Sequence, residues 1–180
     1  APLFVFADTD IFAKAPARLT AAGVSDILGK YIALADWKIA SILMDEYYCT
    51  AVEDLETKAI RTVKDNLKEI AAGEKDACEK LMYALILSGL AMQMTGNSRP
   101  ASGAEHHMVH LWDMEVVNGH LDALHGEKVS AATMLVLLEY KKLADAIRRG
   151  ACRVHAFTDG DRELLQETFG RKGILGALEK

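Results

Sequence analysis

The stretch PASGAEHHMVH, residues 100–110, predicts how most of this chain folds. Pro100 interrupts a preceding helix, and the spacing Ser102-x-x-Glu105 is that of a capping box, in which two side chains satisfy backbone N–H groups at a helix start. Helical periodicity of the apolar residues continues from here through most of the chain. We therefore expect a mainly α protein, folded as an irregular helical bundle.

Breaking residues divide the remainder into segments. The expected helices are a short one from Pro16 to Gly23, a long one from Ser25 or Asp26 to about Met44, and others at about 46–72, 75–94, 102–117, 124–149 and 160–168. The exception is LFVFA, residues 3–7, which predicts one N-terminal β-strand. Because a lone strand is not stable by itself, it either joins a sheet outside this sequence or is a remnant of one.

Composition excludes several classes of protein. The chain has 180 residues, 51% of them hydrophobic and 26% charged, which is typical of one soluble globular domain. Its net charge of -5 gives no reason to expect nucleic acid as a partner. Three widely spaced cysteines favour reduced thiols and a cytoplasmic location. Membrane insertion is not expected, since no apolar run reaches ~20 residues, and the longest, residues 81–94, is interpreted as a core helix.

Five of the six histidines lie between residues 106 and 125. Imidazole is the commonest protein ligand for metals and the usual proton carrier near neutral pH. His106 and His110 are four residues apart and share a helix face, whereas His107 points elsewhere. The positive end of the helix dipole disfavours an imidazolium in the first turn, so we expect His106 to be neutral, as metal binding requires.

His125 can join His106 only if the helix between them ends. A continuous helix would separate the two by ~28 Å, but the pair Asn118-Gly119 is a breaker. Thirteen residues of helix rise by about the distance that an extended return to His125 can cover. The spacing therefore predicts a loop over residues 119–123, with His125 beside His106 as the next helix begins.

A carboxylate would complete a set of three ligands around an ion that keeps one open position. Asp26 is one candidate, with Lys30 four residues later on the same helix face. Glu105 and Asp122 are others, although both are suited to capping helix starts. Spacing alone does not choose between Asp26 and these residues, nor does it exclude Asp113 or Glu127.

Four groups of residues, in order along the chain, resemble sn-glycerol-1-phosphate dehydrogenases. This family belongs to the superfamily of iron-containing alcohol dehydrogenases, glycerol dehydrogenases and 3-dehydroquinate synthases. The matching segments are DTD (8–10) with KAP (14–16), GVSDILGKY (23–31) with LADW (34–37), SRPASGAEH (98–106) and LHGEKV (124–129). They span residues 8 to 128, whereas the tail after about residue 150 adds little to the resemblance.

The resemblance implies a metal held by Asp26, His106 and His125. It also implies that the ion polarises the alcohol or ketone oxygen of the substrate while a nicotinamide takes or gives the hydride. His110 corresponds to a residue near the substrate, and Lys30 and Arg99 are candidates for binding the substrate phosphate. The remaining histidines, His107, His120 and His155, match no functional position.

The sequence departs from the family pattern in two ways. Family members usually have Gly-Phe-Gly-Asp where this chain has GVSD, residues 23–26, so Ser25 replaces a glycine but the carboxylate stays. No Gly-rich turn for a nicotinamide cofactor precedes the motifs. We therefore interpret residues 1–15 as a remnant of the nucleotide-binding domain and residues 16–180 as the helical metal-binding domain of a dehydroquinate synthase-like fold.

The resulting expectation is the metal- and substrate-binding half of an NAD(P)-dependent sn-glycerol-1-phosphate dehydrogenase of phospholipid metabolism, inactive without its other half. The ion is expected to be zinc, with nickel or iron as alternatives, and NAD(P) binds only if the missing domain is present. The substrate is a small phosphorylated polyol or ketose, and a homo-oligomer is possible. Two alternatives remain: a fragment of a glycerol dehydrogenase-like or dehydroquinate synthase-like enzyme, and a non-catalytic metal-binding helical module.

Overall fold

The computed structural model describes residues 4–116, 122–153, 156 and 158–169. The helices in these ranges are α1 (Thr9–Phe12), α2 (Ala17–Met44), α3 (Thr50–Asp65), α4 (Leu67–Ala71), α5 (Lys75–Thr95), α6 (Ala104–Val116), α7 (His125–Arg148) and α8 (Asp159–Phe169). The mainly helical architecture is confirmed. Within the described ranges, none of these helices is long and apolar enough to cross a membrane.

The chain divides into two compact units, Ala1–Lys141 and Lys142–Lys180. The first contains α1 to α6 and most of α7, and the second contains the end of α7 and α8. Every residue of the candidate site lies in the first unit. The expected division into residues 1–15 and 16–180 stays a prediction.

Apolar side chains of α2, α3, α4 and α5 form the main core. Trp37 of α2, Ile60 of α3 and Leu81 of α5 are fully buried in it, and the indole N–H of Trp37 donates to the carbonyl of Tyr47 over 2.8 Å. A smaller cluster joins α6 to α7 through Val109, Val129 and Ala132. α2 contributes to the main core and also carries one member of the candidate site.

Two expectations about element boundaries are corrected. Gly23 does not end a helix, because α2 runs without interruption from Ala17 to Met44. A glycine inside a helix costs only about 1 kcal/mol, which tertiary packing can offset, and Gly23 lies against side chains of α5. The expected helix at 46–72 is shorter and divided, since α3 begins at Thr50 and Asn66 separates it from α4.

The N-terminal strand expected over residues 3–7 is not confirmed. Leu3 lies outside the described residues, and residues 4–8 form neither a strand nor a helix. Phe4 and Phe6 are largely exposed. A strand requires a neighbour that accepts and donates its backbone hydrogen bonds, and no strand occurs in the described part of the chain.

Candidate metal centre

Three side chains from three helices point their ligand atoms at one another. Asp26 lies in α2, His106 in the first turn of α6, and His125 is the first residue of α7. The Nε2 atoms of His106 and His125 are 3.3 Å apart. Oδ1 of Asp26 lies 3.6 Å from Nε2 of His106 and 3.7 Å from Nε2 of His125. Of the histidine, cysteine and acidic side chains that cluster in the described residues, these three form the group that could hold a metal ion.

These separations fit a four-coordinate metal ion better than they fit hydrogen bonds. Ligand atoms at ~2.1 Å from a tetrahedral ion are about 3.4 Å from one another, which matches 3.3, 3.6 and 3.7 Å. Hydrogen bonds between nitrogen and oxygen are usually 2.7–3.2 Å long. Two imidazoles and a carboxylate are also donors that zinc, nickel and iron(II) accept. The residues present therefore fit a divalent ion.

Glu105 fixes the orientation of His106. Its side chain is fully buried, and its Oε1 atom accepts from the backbone N–H of Gly103 over 3.1 Å. The Nδ1 atom of His106 is 2.7 Å from the same oxygen. A carboxylate accepts hydrogen bonds, so Nδ1 carries the proton and Nε2 faces Asp26 and His125 with its lone pair once the ring is neutral.

The start of α6 differs from the expected capping box. The helix begins at Ala104, and Gly103 rather than Ser102 donates to the Glu105 side chain. The N–H of Ala104 donates over 2.7 Å to Oδ2 of Asp36 in α2. A Cβ atom at Gly103 would lie only 2.6 Å from that oxygen, so the close approach requires glycine. A carboxylate from another helix thus replaces the local cap.

The expectation that His106 is neutral is wrong for the metal-free chain. Burial, the largest single influence, lowers the pKa of His106, but the facing Asp26 and Glu105 outweigh it and raise this pKa to about 9. The two carboxylates lie 2.7 and 3.6 Å from the ring nitrogens of His106. Their full negative charges outweigh the partial positive charge at the helix N-terminus. A metal ion must therefore displace a proton from His106 when it binds.

Asp26 is held in its charged form by His106 and Lys30. Burial raises the pKa of Asp26, but His106 and the Lys30 ammonium act against it and lower this pKa to about 2. The Nζ atom of Lys30 donates to Oδ2 of Asp26 over 3.0 Å and lies 3.4 Å from the carbonyl of Ala101. Oδ1, the oxygen that faces the histidines, is not bound by Lys30 and is free to bind a metal once His106 loses its proton.

His125 reaches the site where the chain returns to α2. Residues 122–124 are irregular and α7 begins at His125, as expected, whereas residues 119–121 lie outside the described ranges. The Glu127 side chain accepts from the N–H of Leu124 over 2.8 Å, which caps α7 in place of Asp122. A Cβ at Gly126 would lie 2.0 Å from the Ala22 carbonyl oxygen, so the start of α7 packs directly on α2.

The other candidate carboxylates have partners elsewhere. Glu105 binds Gly103 and His106, and Asp113 pairs with the ammonium of Lys128. Glu127 and Asp122 both contact Arg18. Geometry therefore selects Asp26, which spacing could not do.

The proposed substrate-contact residues occupy different surroundings. His110 is exposed, and its ring centroid is 6.3 Å from that of His106, at the rim of the site. Lys30 is buried beside Asp26. Arg99 makes two 2.7 Å hydrogen bonds to Glu46, and no contact of the described residues joins it to the three ligands. His107 is exposed, while His120 and His155 lie outside the described residues.

Sequence reasoning missed two residues that build the site. Asp36 caps α6, and Arg18 of α2 binds the segment before and after His125. Both contacts join residues more than sixty positions apart, so no local spacing reveals them. The one available signal for Arg18 was a cation two helical turns before Asp26.

The sequence is similar to curated proteins named glycerol-1-phosphate dehydrogenase [NAD(P)+]. The relative from Geobacillus thermodenitrificans is 36% identical over the whole of this chain and 48% of its own length. That from Halalkalibacterium halodurans is 44% identical over 80% of this chain and 36% of its own length. An archaeal relative from Methanosarcina mazei is 36% identical over 98% of this chain and 49% of its own length. No protein-family model matches the chain.

The chain spans about half the length of these relatives, and it matches their C-terminal half. The match to the relative from Geobacillus thermodenitrificans covers the whole of this chain and so includes the positions of all three candidate ligands. The resemblance inferred from the four groups of residues is thereby confirmed. The chain is homologous to the C-terminal half of curated proteins named glycerol-1-phosphate dehydrogenase [NAD(P)+].

Proposed function

We propose that this chain is the metal- and substrate-binding half of an NAD(P)-dependent sn-glycerol-1-phosphate dehydrogenase, which interconverts sn-glycerol 1-phosphate and dihydroxyacetone phosphate. The observation that carries the proposal is the convergence of Asp26, His106 and His125 in a chain related to enzymes of that name. The metal would occupy the space between their three ligand atoms. The nicotinamide would bind to the other half of the enzyme.

The surroundings of each ligand support this role. Lys30 keeps the Asp26 carboxylate charged, and Glu105 presents the Nε2 atom of His106. The side chain of His125 is 51% exposed, so the site opens to solvent on that side and a substrate oxygen can approach. Three protein ligands and one open position are typical of catalytic rather than structural sites. A divalent ion bound there supplies Lewis-acid stabilisation for negative charge on the substrate oxygen.

The substrate side of the proposal rests on His110, Lys30 and Arg99. His110 lies at the exposed rim and can donate to or accept from a hydroxyl of the substrate. Lys30 is buried and would act mainly by holding Asp26. Arg99 would have to exchange Glu46 for the substrate phosphate, to which a guanidinium can also bind through two parallel hydrogen bonds.

We propose zinc as the resident ion, ahead of nickel and iron(II), since its ligand preferences and tetrahedral geometry fit the donor set. A cytoplasmic location and a homo-oligomeric state also belong to the proposal. The names of the relatives support NAD(P) as the cofactor of the complete enzyme.

The proposal is tested on the complete product of the gene that encodes this chain. We expect it to oxidise NADH or NADPH with dihydroxyacetone phosphate as the acceptor, and to lose this activity in Asp26→Ala but not in His107→Ala. Reduction of unphosphorylated dihydroxyacetone alone would contradict the substrate and favour a glycerol dehydrogenase. No reduction of either ketone by a folded, zinc-containing protein would contradict the enzymatic role.

A further inference from the structure

One surface arginine holds the segment that delivers His125. The guanidinium of Arg18 donates through Nε to Oε1 of Glu127 over 2.6 Å and through Nη2 to Oε2 over 2.9 Å. The same Nη2 donates to the carbonyl of Asp122 over 2.9 Å, and Nη1 lies 3.5 Å from the Asp122 carboxylate. Arg18 therefore binds the chain three residues before His125 and two residues after it.

These contacts form a connected arrangement with the start of α7. Oε2 of Glu127, which pairs with Arg18, also accepts from the N–H of Leu124. Gly126 packs on the backbone of α2 at Ala22. The irregular residues 122–124 and the first turn of α7 are thus fastened to α2 on both sides of His125.

The anchor and one of the ligands belong to the same rigid helix. Arg18 precedes Asp26 by eight residues in α2, or ~12 Å along the helix axis. A clamp at Arg18 therefore sets the position of His125 relative to Asp26 without an intervening loop. His125 needs such support because its own side chain is half exposed.

Stability does not explain the arrangement. The side chains of Arg18 and Glu127 are 49% and 35% exposed, and ion pairs as exposed as this contribute little to the free energy of unfolding. Planar, two-point pairing of a guanidinium with a carboxylate instead fixes geometry. The contribution expected from the pair is orientation of the segment between its contacts.

We propose that Arg18, together with Glu127, is a positioning pair that holds residues 122–127 so that His125 faces Asp26 and His106. The inference rests on the proposed metal site. Loss of such supporting contacts typically weakens metal binding 10–100-fold. Arg18 acts through His125 and touches neither the ion nor the substrate.

The test is the zinc affinity of the 180-residue chain, measured by competition with a chromogenic chelator, with circular dichroism to check folding. We expect Arg18→Ala to weaken zinc binding about 10–100-fold and Arg18→Lys to recover part of that loss. Glu127→Gln should weaken binding as well. Lys75→Ala, which removes an exposed pair with Asp10 of another helix, is the matched control and should bind zinc as the parent does.

A double variant separates positioning from general destabilisation. If Arg18 acts through His125, then Arg18→Ala has no further effect on zinc affinity in a His125→Ala background. Parental affinity in Arg18→Ala, or full additivity of the two substitutions, would overturn the positioning role while leaving the metal site intact. A parent chain that binds no zinc would overturn the proposed metal site and this inference with it.

Discussion

The starts of α6 and α7 each present one histidine to the same site, yet they hold it in opposite ways. His106 is buried, and its ring is fixed from within by Glu105, which is itself fully buried. His125 is half exposed and is fixed from outside, by contacts of its neighbours with α2. The electrostatic settings differ too, because the pKa of His106 is raised to about 9 whereas burial lowers that of His125.

The difference predicts that substitutions around the two ligands affect protein stability to different extents. We expect changes at the buried start of α6 to lower protein stability together with metal binding. The exposed start of α7 can change metal binding with a smaller effect on the free energy of unfolding.

The largest effect is expected from Glu105→Ala. This change leaves the N–H of Gly103 and Nδ1 of His106 without their acceptor in a buried place. Unsatisfied groups of this kind cost about 1–3 kcal/mol each. We expect urea denaturation to register a loss of at least ~2 kcal/mol and zinc affinity to fall 10–100-fold.

Glu105→Gln is the control for that change, because it keeps an oxygen acceptor of the same shape, and its effects should be smaller. If Glu105→Ala kept the stability and the zinc affinity of the parent, the claim that buried Glu105 fixes His106 would be contradicted.

An intermediate effect is expected from Gly126→Ala at the start of α7. The new Cβ would lie 2.0 Å from the Ala22 carbonyl oxygen, so α7 must move away from α2. Overpacking of this kind costs about 1–3 kcal/mol, and the movement carries His125 with it. Gly89→Ala in α5 is the matched control, since nothing lies within 4 Å of its added Cβ. Thermal melts should show the control to be as stable as the parent, or more stable by up to about 1 kcal/mol. Equal stability of the two variants would contradict the close packing of α7 on α2.

The smallest effect is expected from Glu56→Gln. Glu56 is buried like Glu105 but lacks the hydrogen bonds that Glu105 makes, so this change tests the effect of burial alone. Glu56 of α3 is fully buried, and neither of its oxygens has a hydrogen-bond partner among the described residues. Burial raises the pKa of Glu56, although Ser88 and Lys30 act in the opposite direction. The folded state therefore binds this proton more tightly than the unfolded state does.

The sign of the pH dependence follows. The stabilising contribution of Glu56 is complete below its unfolded pKa of ~4.3 and is lost as pH rises through the raised folded value. Glu56→Gln should melt higher than the parent at pH 7, by about 1 kcal/mol or less, and the difference should shrink towards pH 5. The same change at exposed Glu79 is the control for the substitution itself, and an identical response of the two variants would contradict the assignment.

Local patterns predicted much of this molecule. The start of α7 near His125 followed from the breaker before it, and chain lengths predicted the return of His125 beside His106. The positions of most other helices followed from apolar periodicity. Patterns failed where distant contacts decide. α2 continues through Gly23 because it packs on α5, and α6 begins two residues late because Asp36 caps it.

The third ligand illustrates the same limit. Spacing left Asp26 among several carboxylates, and only the family resemblance singled it out. The structure then gives each competing carboxylate another partner, such as Lys128 for Asp113 and Arg18 for Glu127. Residues that act over long sequence distances, Arg18 above all, leave no periodic trace in the sequence.

The most direct test of the metal centre is the zinc content of the 180-residue chain, measured by atomic emission. The chain is first loaded with excess zinc and then dialysed against zinc-free buffer. We expect about one ion per chain in the parent and in His107→Ala. Asp26→Ala, His106→Ala and His125→Ala should each lose most of it while keeping their helical circular dichroism. Unchanged zinc content in all three variants, or a folded parent that retains none, would contradict the account.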